Sequence, residues 1–118
     1  MIPLRSELRV LVATQPVDFR AGMDRLATLV ETVLKENPFV GDVFVFRSKR
    51  RANRLKLLMW DGSGLILATK RLEDGVFTWP PIRDGVCLLT AAQLAMLVAG
   101  LDWTRVGTNP VKRPTRAA

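Results

Sequence analysis

The stretch that decides the fold is residues 43–71, VFVFRSKRRANRLKLLMWDGSGLILATKR. It contains three apolar, β-forming runs, which begin at Val43, Leu55 and Leu65. Side chains of these types favour strands. Between the second and third runs, Asp61-Gly62-Ser63-Gly64 indicates a hairpin, because these residues accept positive φ angles. The stretch therefore predicts consecutive antiparallel strands, with a basic loop between the first two.

Weaker patterns flank this centre. Residues 8–12, LRVLV, predict a strand, and residues 22–36 carry apolar side chains at spacings of three and four, which predict a helix. Residues 76–79, VFTW, suggest one more short strand. A second helix is expected from Thr90, whose TAAQ sequence has the form of a capping box, to Gly100.

These elements do not alternate as repeated βαβ units. We therefore expect one α+β domain over residues 1–104, an antiparallel sheet of four to five strands with two helices mainly on one face. Residues 105–118 contain two prolines and four basic side chains, and we expect a flexible basic C-terminal tail.

The composition argues against several classes of protein. The chain has 118 residues with one cysteine and no histidine, so neither an internal disulfide nor an ordinary zinc site can be built. No apolar run approaches the roughly twenty residues of a membrane span. Residues 1–7 lack the layout of a signal peptide. We expect a cytoplasmic protein without a metal, a cofactor or a membrane contact.

Positive charge is concentrated in two segments. Eighteen Lys and Arg oppose eleven Asp and Glu, which gives a net charge of +7. Residues 47–71 hold eight basic side chains and one acid, and residues 105–118 hold four and none. Such segregation favours a binding face over a uniform solubility surface, and the simplest anionic partner is nucleic acid.

The central segment supplies the candidate DNA contacts. Residues 47–56 contain six basic side chains and no acid, in a loop that we expect to protrude between two strands. The alternative is a solvated hairpin tip whose arginines pair with surface acids. Lys70 and Arg71 end the next strand, and they approach this loop only under one strand register. The candidates are Arg47, Lys49, Arg50, Arg51, Arg54, Lys56, Lys70 and Arg71.

The tail offers further possible contacts, although a tail that only aids solubility is nearly as reasonable. Its basic residues are Arg105, Lys112, Arg113 and Arg116.

The other side chains that could stack on bases or take part in catalysis are mostly expected to have structural roles. Trp60 and Trp79 end apolar runs and are expected in the core, whereas Trp103, just before the tail, is more open to a partner. Cys87 lies in an apolar run and is expected to be a buried, inert thiol. Most acids fall at turns and helix caps, so we expect no catalytic residues and no enzyme activity.

The order of motifs resembles the TnpB-type accessory proteins, the small second reading frame of the insertion-sequence-sixty-six family of bacterial transposable elements. The motifs span about residues 8–104 and include PVDFRAGMD at 16–24, VFR at 45–47, KRLE at 70–73, FTWP at 77–80 and LTAAQL at 89–94. One departure is Leu67-Ala68-Thr69, where the family pattern has bulky aromatics. This departure weakens any role of that hairpin in stacking bases.

The resemblance implies an accessory transposition protein that works beside a separate, larger transposase and has no catalytic residues of its own. Our main hypothesis is a non-catalytic, DNA-binding accessory factor in the bacterial cytoplasm, with nucleoid association possible. The alternative is an adapter that docks the transposase without touching DNA. A cryptic metal-dependent nuclease is a third and weaker hypothesis.

Overall fold

The computed structural model describes residues 8–105. Within these residues the chain forms five strands, two α-helices and one short 3-10 turn, so the α+β prediction is confirmed. In chain order these are β1 Val10–Ala13, α1 Met23–Thr32, β2 Val43–Arg47, β3 Arg54–Trp60, β4 Leu65–Arg71, β5 Val86–Leu89, α2 Ala91–Val98 and the 3-10 turn Trp103–Arg105.

The five strands form one mixed sheet in the order β4-β3-β2-β1-β5. β2, β3 and β4 pair antiparallel as predicted. β1 runs parallel to β2, with Leu11 opposite Phe44, so the expectation of a wholly antiparallel sheet is wrong. The reason is the α1 crossover, which returns the chain to the sheet in the same direction.

The fifth strand is not the one that the sequence suggests. β5 pairs antiparallel with β1, whereas residues 76–79 form no strand. Phe77 instead donates its backbone N–H to the Ala52 carbonyl at 3.1 Å, and the Trp79 indole donates to the same carbonyl at 3.0 Å. This irregular segment therefore packs beside the β2–β3 loop and braces it.

The two helices cover opposite faces of the sheet, so the expectation that they lie mainly on one face is also wrong. Leu26 and Val30 of α1 pack with Phe44 on one face, called the α1 face here. Leu97 of α2 packs with Val45 on the other, called the α2 face. The central strands require this cover, because every residue of β1 and the middle three of β2 are buried.

The predicted capping box and helix stop of α2 are both present. The Thr90 hydroxyl accepts the Gln93 backbone N–H at 3.1 Å, and the Gln93 carboxamide oxygen accepts the Thr90 N–H at 2.9 Å. Gly100 follows the helix with a φ of 77°. A Cβ at this glycine would lie 3.1 Å from both methyl carbons of Leu72, so Gly100 serves both the turn and the packing.

A nearly buried lysine joins the sheet to the segment of residues 17–21. Lys56 of β3 is only 9% exposed. Its ammonium group donates to the carbonyls of Phe19 at 2.7 Å and Ala21 at 3.0 Å, and it lies 5.0 Å from the centre of the Phe19 ring. Burial of an ammonium group is costly without such partners. The bonds therefore fix residues 17–21 on the α1 face.

The same segment is also joined to the β2–β3 loop by backbone bonds. Val17 donates to the Arg47 carbonyl at 2.8 Å, and Lys49 donates to the Val17 carbonyl at 3.0 Å. These bonds form a parallel bridge between Val17 and Ser48. Segment and loop are thus held side by side.

We expect Gly100→Ala to lower the free energy of unfolding by about 1–2 kcal/mol, because a non-glycine residue at this φ is strained. Denaturant unfolding measures the change. Gly64→Ala is the matched control, since Gly64 has no atom within 4 Å of a new Cβ and no left-handed φ. Equal effects of the two substitutions would contradict this role of Gly100.

We expect Lys56→Met to lower the free energy of unfolding by about 1–3 kcal/mol, because two carbonyls would then lack a charged donor. Lys35→Met, which removes an exposed lysine whose side chain makes no hydrogen bond within residues 8–105, should change stability by less than about 0.5 kcal/mol. Hydrogen exchange at residues 17–21 should accelerate in the first variant alone. A Lys56→Met protein with wild-type stability and exchange would show that the lysine does not fix the segment.

Candidate nucleic-acid interface

A concave pocket of about 650 Å³ lies where residues 17–21 meet the β2–β3 loop. We call it the basic pocket. Three of its lining residues are Asp18, Phe19 and Ser48. The other five are cations: Arg20, Lys49, Arg50, Arg51 and Arg54. The structure therefore brings four of the predicted contacts together and adds Arg20.

The loop that carries these cations has a defined backbone. The Ser48 hydroxyl accepts the backbone N–H groups of Arg50 at 3.1 Å and Arg51 at 3.2 Å. Arg54 donates its N–H to the Arg51 carbonyl at 3.2 Å, which closes the turn before β3. Together with the contacts of Ala52 and Val17, these bonds brace the loop on two sides. It is thus an anchored wall of the pocket.

Three side chains of the loop are free to meet a ligand. Lys49, Arg50 and Arg51 are exposed. Within residues 8–105, their side chains make no hydrogen bond and no ion pair to a carboxylate. Within residues 8–105, the loop arginines therefore do not pair with surface acids, in contrast to the alternative considered from the sequence.

Arg54 is half-buried beside them. Its Nε atom is buried and has no hydrogen-bond partner among the described residues. A buried donor without an acceptor costs free energy. Arg54 also lies directly opposite Arg71 on β4, and like charges at such positions repel. An anion bound in the pocket would offset the repulsion between Arg54 and Arg71.

Asp18 supplies the negative charge of the pocket. The Arg20 guanidinium donates to both of its carboxylate oxygens, at 2.6 Å for the shortest bond, and the Arg20 backbone N–H adds another at 2.9 Å. These bonds hold the pKa of Asp18 well below its usual value and raise the pKa of Arg20. The carboxylate therefore stays ionised and offsets one of the five lining cations.

Two predicted contacts from the same segment serve the fold instead. The Arg47 guanidinium lies 5.3 Å above the Trp79 ring and donates to the Pro80 carbonyl at 3.0 Å, and burial lowers the pKa of Arg47. Lys56 is held by Phe19 and Ala21 as described above. Both cations are thus used to position the walls of the pocket.

Strand register decides where the two β4 candidates lie. Arg71 pairs with Arg54 and therefore shares the α1 face, where it also forms an exposed ion pair with Glu73 at 3.2 Å. Lys70 pairs with Leu55 on the α2 face and donates to the Val98 carbonyl at 2.6 Å. The structure therefore separates Lys70 from the basic pocket.

The remaining candidates lie elsewhere. Arg105 is exposed and lies 3.4 Å from the Asp102 carboxylate. Lys112, Arg113 and Arg116 lie outside the described residues.

Trp103 is buried, with its indole donating to the Thr78 carbonyl, so the expectation of an open, partner-facing tryptophan is wrong. Cys87 is half-buried rather than fully buried, because β5 is an edge strand.

The acids within residues 8–105 form no cluster of three or more ligands that suits a metal ion. Several are tied to structural partners. Asp42 is fully buried and pairs with Arg9 at 2.7 Å. Asp61 accepts backbone N–H groups of Ser63 and Gly64, which lowers its pKa and shapes the hairpin.

No helix between residues 8 and 105 is long and apolar enough to cross a membrane.

The sequence alone did not predict that Asp18, Phe19 and Arg20 line the basic pocket. Their sequence indicates only a turn or helix entry after Pro16. Their contact with a loop thirty residues later depends on Lys56 and the Val17–Ser48 bridge. The sequence offers one signal of this contact. The alternation of side chains along β3 directs Lys56 towards the α1 face, where a lysine needs acceptors.

Comparison with known proteins places the chain in a family. The model for the family described as "IS66 Orf2 like protein" matches residues 8–108. The chain is 56% identical over 111 residues to the uncharacterized protein y4jC of Sinorhizobium fredii, covering 94% of each chain. It is 44% identical over 116 residues to the uncharacterized protein y4hO of the same organism, covering 98% of each.

No solved structure matches the chain. The family match covers nearly all of the sequence, including both walls of the basic pocket, and it agrees with the resemblance carried by the ordered motifs. The chain belongs to the IS66 Orf2-like family of transposition-associated proteins.

Proposed function

We propose that this protein is a non-catalytic accessory factor of transposition that binds DNA through the basic pocket. One observation carries the proposal. Among residues 8–105, the pocket gathers five cations around a concave surface, and one carboxylate, Asp18, lines the same pocket and is ion-paired with Arg20.

Arginine suits this task because its planar guanidinium pairs with two phosphate oxygens at once. Contacts to phosphates supply much of the affinity of a DNA-binding protein and make it depend on salt. In this proposal Lys49, Arg50, Arg51 and Arg54 hold phosphates, and Arg20 assists once it leaves Asp18. Arg47 and Lys56 act indirectly, by holding the walls of the pocket.

The other basic candidates have lesser places in the proposal. Arg71 shares the face of Arg54 and extends the positive surface beyond the pocket. Lys70 is assigned no contact at this site, because it lies on the α2 face. The tail would extend the contact along the backbone through Arg105, Lys112, Arg113 and Arg116.

Family membership also supports work beside the transposase of the same element, in the bacterial cytoplasm. A pure adapter role is the alternative. The exposed apolar side chains within residues 8–105 that would suit docking include Met23 on α1, Ile66 on β4 and Leu88 on β5. Capture of the transposase that survives both nuclease treatment and raised salt, with no DNA binding by the purified protein, would favour the adapter.

The first test is the triple variant Arg50→Gln, Arg51→Gln, Arg54→Gln, measured by fluorescence anisotropy with labelled DNA across a salt series. We expect weaker binding at low salt. The slope of log affinity against log salt should fall by about one unit for each phosphate that the variant no longer neutralises. Circular dichroism should show an unchanged fold, because none of the three side chains bonds to another group within residues 8–105.

A second triple variant controls for net charge. It removes an equal number of positive charges from exposed positions that do not line the pocket, by the substitutions Arg25→Gln, Lys35→Gln and Arg83→Gln. It should retain most of the salt slope. A folded pocket variant with the wild-type slope would rule out the basic pocket as the DNA contact.

Asp18→Asn should have the opposite effect on binding. Removing the carboxylate releases the Arg20 guanidinium and ends the repulsion of phosphate, so affinity at low salt should rise severalfold. Mild acid should not reproduce the gain in the wild type, because the lowered pKa of Asp18 keeps it ionised there. An affinity of Asp18→Asn at or below that of wild type would place the bound phosphate away from this wall.

A further inference from the structure

We infer that the basic pocket receives one unpaired nucleotide of single-stranded DNA rather than the backbone of an intact duplex. This inference rests on the proposed function and specifies the form of DNA that it concerns. Three features of the described residues carry it: the concavity of the site, an aromatic ring in its wall, and cations from two segments that line the same pocket.

The shape of the site is the first feature. A duplex presents its phosphates on a convex surface, with its bases stacked inside. The cations here line a half-open pocket of about 650 Å³. That volume falls within the roughly 300–1,000 Å³ of sites that enclose small molecules. A nucleotide-sized group can therefore enter and meet cations on more than one side, whereas the surface of a duplex would reach only the rim.

The aromatic ring is the second feature. Phe19 lines the pocket and is half-buried. Its backbone carbonyl and its ring are both engaged by the Lys56 ammonium, so its position is fixed before any ligand binds. Stacking of bases on such rings is the common means by which proteins hold single strands, and it tolerates every base.

The arrangement of the cations is the third feature. Arg20 directly follows Phe19, while Lys49, Arg50 and Arg51 line the same pocket from the adjacent loop. A base on the Phe19 ring would therefore have its phosphates within a surrounding set of donors. This combination of a stacking ring and a positive groove is typical of proteins that bind single strands without sequence preference.

A paired base can enter such a pocket only by leaving its stack and its partner. The free energy of unpairing and unstacking opposes this step in a duplex, whereas a single strand has no pair to break. The same contacts should therefore give tighter binding to single-stranded DNA than to duplex. Junctions and frayed ends, where bases are already unpaired, should resemble the single strand.

The test compares a labelled oligothymidylate with a labelled duplex of the same length, by anisotropy at one low salt concentration. Wild-type protein should bind the single strand about tenfold more tightly. Phe19→Leu keeps an apolar side chain but removes the ring, and it should weaken single-strand binding about tenfold and duplex binding by much less, because an intact duplex stacks no base on the ring. Phe39→Leu, at an exposed phenylalanine outside the pocket, is the matched control and should change neither.

Phe19 also packs against the α1-face core, so a second measurement uses the wild-type protein alone. Ultraviolet crosslinking to the oligothymidylate should modify the tryptic peptide of residues 10–20, which contains Phe19. Crosslinks confined to other peptides would overturn the inference even if Phe19→Leu fails to fold.

The remaining outcomes separate this inference from the proposed function. Equal or tighter binding of duplex, or an equal weakening for both ligands in Phe19→Leu, overturns the single-strand inference and leaves DNA binding by the pocket intact. Failure of the wild-type protein to bind either ligand at low salt overturns the proposed function and the inference together.

Discussion

The Lys56 ammonium, held between the carbonyls of Phe19 and Ala21, is the contact on which the site depends. β3 supplies the lysine, and the connection between β1 and α1 supplies the acceptors. Because a buried ammonium needs such acceptors, the connection is fixed across the α1 face. One wall of the basic pocket follows from that placement. The bridge between Val17 and Ser48 then sets the other wall, the β2–β3 loop, beside it.

The alternation of side chains along the strands sorts the positive charge that surrounds this contact. Arg54, Lys56 and Arg71 share the α1 face, whereas Arg47 and Lys70 lie on the α2 face, each bonded to a backbone carbonyl. A segment with one block of positive charge in sequence thus becomes two groups in space. The group on the α1 face lines or adjoins the pocket, and the group on the α2 face stabilises packing. Charge alone does not distinguish them, but register does.

The central meander, both helices and the capping box of α2 could be predicted from sequence, because each depends on short-range signals such as periodicity and turn residues. The parallel pairing of β1 with β2, and β5 itself, could not, because these depend on which distant segments meet. The site divides in the same way. The cations of the loop could be identified from local charge, whereas Phe19 and Arg20 join them only through a tertiary bond. The prediction for Trp103 was wrong for the same reason, since the basic residues that follow it say nothing about the core that encloses it.

The most direct test of DNA binding by the basic pocket is a titration of isotope-labelled protein with short DNA, followed by amide chemical shifts in two-dimensional NMR spectra. We predict that the largest changes fall on residues 18–20 and 48–54, the two walls of the pocket. Shifts of the amides of Lys70 and of α2 should be small. Changes concentrated on the α2 face, or spread evenly over the surface with no preference for the pocket, would contradict this claim.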